Sequence, residues 1–116
     1  MVKMTICLRR RPEITPEAFR DHWRDIHAPL IVRHAATLGI KRYVQVYGIE
    51  AAPTGGRPQG FDAIGEVWIE SLEAFRAALA TPQGAAAGRE IGETDTFLTD
   101  LSRSPRTFGT EIPIIG

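Results

Sequence analysis

The chain has 116 residues, 43% of them hydrophobic, and its 14 Lys and Arg balance its 14 Asp and Glu. One domain over residues 1–116 is the natural expectation, burying about two-thirds of the unfolded surface around a single core. The zero net charge supplies no field to draw nucleic acid or an anionic membrane, and no apolar run approaches the roughly 20 residues of a membrane span.

The lone cysteine, Cys7, excludes an intrachain disulfide and suits a reducing compartment. At the N-terminus the basic residues follow an alternating stretch, the wrong order for a signal peptide. A cytoplasmic protein is therefore expected.

From Lys3 to Arg9, Met4, Ile6 and Leu8 alternate with Thr5, Cys7 and Arg9, which predicts a first strand. Thr15 then precedes Pro16 and Glu17, a helix start with a hydroxyl cap, a first-turn proline and an acid at the positive dipole end. Phe19, Trp23, Ile26 and Leu30 form one apolar stripe, and Leu38-Gly39 is the predicted end. Tyr43 to Ile49 alternates again as a second strand. The Gly- and Pro-rich segment from Ala51 to Gly60 reads as an exposed connection.

Asp62 to Glu70 predicts a third strand, with Ala63, Gly65, Val67 and Ile69 opposite Ile64, Glu66 and Trp68. Ser71 caps a second helix carrying Leu72, Phe75, Ala78 and Leu79. Pro82 to Ile91 reads as a loosely held second piece, because it has few large apolar residues. The aperiodic run from Thr94 to Pro105 is a candidate lid in which Phe97 and Arg103 would close one end of a cavity. Thr107 to Ile115 is predicted as a last strand, with Pro113 marking an edge or a bulge.

The order strand, helix, strand, strand, helix, strand is the split β-α-β arrangement of ferredoxin-like α+β folds, a four-stranded antiparallel sheet with both helices on one face. The other face is also substantially apolar. Faces of that kind usually associate, so a homodimer through the sheet faces is expected.

MVKMTICLRR, ITPEAFRDHWRDIHAPL, KRYVQVY, FDAIGEVWIESLEAFRAAL and IPII, taken together, resemble the EthD-like proteins of the dimeric α+β barrel superfamily. Phe19, Trp23, His27, Pro29 and Leu30 form the most specific part of the resemblance, and Asp62 to Phe75 is a second, independent part. The resemblance implies a hydrophobic, aromatic or polyketide-like small molecule held between helices and sheet, worked on without metal or organic cofactor. The reactions it implies are cyclisation, dehydration, isomerisation or degradation by proton transfer. Cofactor-free oxidation and a non-catalytic accessory role in a degradation pathway are the alternatives.

All three histidines, His22, His27 and His34, lie in one segment. Their spacings of five and seven residues lack the i, i+4 pair of a helical zinc site, and no further Cys/His cluster supplies ligands, so no metal is expected. Pro29 lacks an N–H and disrupts the bond to the carbonyl of Asp25; the backbone is expected to kink there, and the freed carbonyl to orient His27. His27 is read either as a general acid/base or as a buried histidine pinning the helix to the sheet. His22 reads as a surface or rim residue and His34 as solvent-facing near the helix end.

The strand faces add Tyr43 and Glu66 as candidate assisting groups in proton transfer. Trp23, Gln45, Trp68 and Phe97 are candidate substrate contacts. These converge only if the faces carrying Tyr43, Gln45 and Tyr47 meet those carrying Glu66 and Trp68. Glu66 could alternatively pair with an arginine across the dimer.

Overall fold

The computed structural model describes residues 1–49, 55–57 and 60–116, so most of the predicted connection from Ala51 to Gly60 lies outside the described residues. Four antiparallel strands form one sheet in the order β2-β3-β1-β4. They are β1 (Val2–Leu8), β2 (Ile40–Tyr47), β3 (Ala63–Ile69) and β4 (Arg106–Gly109). Between β1 and β2 run α1 (Pro16–His22), a π-helical turn (Trp23–His27) and α2 (Ala28–Leu38). Between β3 and β4 run α3 (Leu72–Ala80) and α4 (Pro82–Leu98). This is the predicted α+β ferredoxin-like fold.

The predicted caps form. Thr15 Oγ1 accepts from Ala18 N at 3.1 Å, Ser71 Oγ accepts from Ala74 N at 3.0 Å, and Gly39 closes α2 at φ 71°. The first helix departs from the predicted stripe at its centre. The backbone widens over Trp23–His27, and Ala28 N–H bonds to the Trp23 carbonyl five residues back. This extra residue per turn rotates His27 into the interior and leaves Ile26 51% exposed, so the buried stripe is Phe19, Trp23, His27, Leu30 and Ile31.

The segment after Pro82 is a full helix rather than a loosely held piece. Thr81 caps it by accepting from Gly84 N at 3.0 Å, and Ala87 and Leu98 are buried. Its small residues permit close approach to α3: a Cβ at Gly84 would stand 1.8 Å from the Ala78 carbonyl oxygen. The predicted lid is likewise built in, since Thr94–Leu98 ends α4, Leu98 and Thr99 are buried, and Asp100 N–H bonds to Arg9 O. The last strand is shorter than predicted. Beyond Gly109 the exposed chain to Gly116 forms no ladder among the described residues, and Pro113 has no N–H to offer one.

The core is two clusters on the helix-covered face. Leu8, Phe19, Trp23, Ala63 and Leu98 form one; Met4, Val67 and Ile69 form the other. The register pairs Tyr43 with Val67, Gln45 with Gly65 and Tyr47 with Ala63, so all three β2 side chains share that inner face. Gly65 lets Trp23 settle onto the sheet; a Cβ there would be 3.3 Å from the indole. Among the described residues no helix is long and apolar enough to cross a membrane.

Candidate functional site

A cavity of about 170 Å³ lies between the helices and the inner sheet face, touched by members of both core clusters. Its wall is mainly apolar, with Met4, Ile31, Val67, Phe75 and Leu79 among its members. Four side chains bring polar chemistry to it: His27 from the π-helical turn, Tyr43 from β2, Asp95 from α4 and Arg106 from β4.

His27 is 4% exposed and its ring stacks on Trp23 at 6.2 Å. Its Nδ1 lies 2.6 Å from Thr94 Oγ1, and that hydroxyl donates to the Ile91 carbonyl at 2.7 Å. With its hydrogen so committed, Thr94 Oγ1 must accept, so Nδ1 carries the proton and Nε2 is the free base. No protein group bonds Nε2 among the described residues, and the His27 ring is part of the cavity wall. The imidazole is thus oriented by a side chain of α4. The expectation that a carbonyl freed by Pro29 would do this is corrected: the π-helical turn rearranges those bonds instead.

Asp95 Oδ1 approaches His27 Nδ1 to 3.6 Å, too far for a hydrogen bond. Burial pushes the His27 pKa down to about 4, with His22 adding to the shift, and pushes the Asp95 carboxyl up to about 6, opposed by Arg106. Both shifts express the cost of charge in an apolar site. The resting pair at mildly acidic pH is therefore neutral imidazole and carboxylic acid, not an ion pair.

Tyr43 is fixed by Gln45. The amide nitrogen donates to Tyr43 Oη at 2.9 Å and to the Trp23 carbonyl at 3.0 Å, while Oε1 accepts from Tyr47 Oη at 2.6 Å. Tyr43 Oη accepts from the amide, so its own hydrogen stays available. Burial raises its pKa well above the usual tyrosine value and keeps it a donor.

The other sequence candidates do not join this group. Glu66 opposes Val44 in the register and Trp68 opposes Arg42, on the outer face of the sheet, away from His27. Glu66 pairs with Lys3 of its own chain. Trp68 lies between Lys3 (4.9 Å) and Arg42 (4.5 Å), and its N–H donates to Glu111. The faces posited to meet are opposite sides of one sheet. Phe97 is 70% exposed against His22, which bonds the Thr94 carbonyl at 3.2 Å. His34 bonds Glu90 at 2.9 Å and ties α2 to α4. Among the described residues no group of three or more His, Cys, Asp or Glu is placed to hold a metal ion.

Thr94, Asp95 and Arg106 were not singled out as site residues from sequence. Thr94 and Asp95 sit in the aperiodic run from Thr94 to Pro105. Only the packing of α4 against the π-helical turn brings them to His27.

No curated protein sequence matches the chain. Among solved structures, an EthD family protein from Bacillus halodurans superposes with TM-score 0.66 at 22% identity, covering 97% of this chain and 100% of that one. A protein from Bacteroides fragilis, described as dimeric with a ferredoxin-like fold, gives 0.60 at 12% identity over 93% of each chain. SnoaB from Streptomyces nogalater, described as a cofactor-independent oxygenase, gives 0.58 at 15% identity over 98% and 95%. These likenesses speak for the fold. The sequence model of the EthD domain matches residues 11–96, nearly three-quarters of the chain and the span carrying Trp23, His27, Tyr43 and Asp95, and the chain belongs to the EthD family.

Proposed function

We propose that this protein is a small cofactor-independent enzyme that moves a proton on a hydrophobic small molecule, with His27 as the base. The observation that carries the reading is the imidazole held as its Nδ1–H tautomer by Thr94, in a ring that lines an apolar cavity and whose Nε2 has no protein partner among the described residues. A base near neutrality must be unprotonated and within reach of its substrate, and burial keeps His27 neutral.

Nε2 takes a proton from an acidic C–H or O–H of the substrate. Negative charge develops on the substrate oxygen, and the Tyr43 O–H, aligned by Gln45, donates to it. Asp95, ionised at neutral pH, offsets the imidazolium charge from 3.6 Å. The imidazolium then returns the proton to a different carbon, completing isomerisation or cyclisation, or to a departing hydroxide, completing dehydration.

The test is deuterium incorporation, followed by proton NMR in D2O, over a panel of one-ring aryl ketones and phenols with an enolisable C–H. Wild type accelerates exchange in at least one compound, and His27→Gln slows it by roughly 10²-fold or more. Binding without exchange leaves an accessory binding protein. Oxygen consumption coupled to turnover moves the reading to the chemistry named for SnoaB.

The same reading takes the protein as a homodimer closed through the outer sheet faces. Val44, Val46, Ile64 and Trp68 share that face, and Val46 is 42% exposed. The B. fragilis structure and one from Thermobifida fusca are described as dimeric. Sedimentation gives a dimer at micromolar concentration on this reading; a stable monomer refutes it.

A further inference from the structure

The cavity has a size limit and a charged entrance. Its volume of about 170 Å³ compares with the roughly 150 Å³ apolar cavity that takes up benzene. One aromatic ring with small substituents fills most of it. Of the residues lining it, only Gly92 and Arg106 are exposed. Gly92 lies one helical turn before Asp95 on α4, and Arg106 acts on the Asp95 charge from β4, so both flank the same end of the cavity. Nothing stands within 4 Å of where a Gly92 Cβ would be. The Arg106 guanidinium makes no hydrogen bond or ion pair among the described residues.

From this we infer that the cavity opens to solvent between Gly92 and Arg106 and takes a single-ring oxygenated aromatic acid, ring inward and carboxylate against Arg106. The inference rests on the proton-transfer reading for the identity of the site and narrows its substrate from hydrophobic aromatics in general to this class. A carboxylate left at the mouth pairs with a guanidinium in a geometry that suits it. It also stays partly hydrated, which avoids the cost of burying charge among apolar side chains. The absent side chain at Gly92 is then a specificity feature, because a side chain there narrows the entrance and its Cβ meets nothing within 4 Å.

Isothermal titration with salicylate and with its neutral isostere 2-hydroxybenzamide tests this. Wild type binds salicylate about tenfold more tightly. Arg106→Gln removes the preference to within about twofold. Gly92→Leu weakens both probes tenfold or more, and its melting temperature does not fall, since leucine is a better helix former than glycine. Equal affinity of wild type for the two probes, an unchanged preference in Arg106→Gln, or full affinity in Gly92→Leu overturns the inference. The deuterium-exchange assay fails separately: His27-dependent exchange with charge-blind binding removes this inference alone, whereas Arg106-dependent binding without exchange in any compound removes the proton-transfer reading alone.

Discussion

The neutral His27–Asp95 pair makes an unusual demand on the pH dependence of stability. In the folded chain His27 titrates at about 4 instead of 6.5, and Asp95 at about 6 instead of 3.8. Each shift is worth about 3 kcal/mol, at about 1.4 kcal/mol per pH unit. The lowered histidine value means the unfolded chain binds the extra proton, so this group's contribution is complete above pH 6.5 and is lost as pH falls toward 4. The raised carboxyl value means the folded chain binds the extra proton, so that contribution is complete below 3.8 and is lost as pH rises through 6. Between roughly pH 4 and 6 the two slopes oppose and nearly cancel. Folded neutral acid with neutral base carries the same number of protons as an unfolded carboxylate with imidazolium.

Single substitutions unmask each slope. From urea melts at pH 4, 5, 6 and 7 and one fixed protein concentration, stability is compared with wild type at each pH, so that all other titrating groups drop out. Relative to wild type, Asp95→Asn gains about 3 kcal/mol between pH 4 and pH 7, because the acid that resisted ionising is gone. Relative to wild type, His27→Gln loses about 3 kcal/mol over the same range, because its advantage lies at low pH. An ion pair at 3.6 Å would instead lower the Asp95 value and raise that of His27, moving both titrations largely out of the pH 4–6 window. Reversed or flat differences would refute the neutral pair and with it the account of His27 as a resting base.

Tyr43→Phe keeps the packing but removes the donor to the substrate oxygen; deuterium exchange falls by roughly 10²-fold, as for loss of one oxyanion donor. Glu66→Gln leaves exchange unchanged within twofold, since Glu66 faces the other side of the sheet, and a large loss would show that the outer face takes part. Gly84→Ala loses about 3 kcal/mol in urea melts, because its Cβ would stand 1.8 Å from the Ala78 carbonyl and the α3–α4 turn must move. An unchanged midpoint would refute that packing.

Much of the architecture was legible locally. Thr15-Pro16, Ser71 and Leu38-Gly39 are start and stop signals whose chemistry acts within a few residues, and the structure uses each of them. Alternation in β1 and β3 told the two faces apart, because the side-chain period of a strand does not depend on its neighbours. The motif around Trp23 and His27 marked the family. The α4 helix was harder to see, since its buried side is built from Gly84, Ala87 and Gly88, whose role is close approach rather than apolar bulk.

What the sequence by itself determined was the element order, the fold class and the importance of the segment from Phe19 to His34. It did not determine which way His27 points, because Ile26 and His27 compete for the inward position and a regular helix favours neither decisively. The π-helical turn chose His27, and the packing of α4 supplied Thr94 to set its tautomer and Asp95 to face it. The sheet sent Tyr43 and Gln45 to that side and Glu66 to the other, by a register set between strands. The His27–Thr94 contact spans 67 positions of chain and the β1–β3 register 55 to 67, and only tertiary structure brings such residues within hydrogen-bond range.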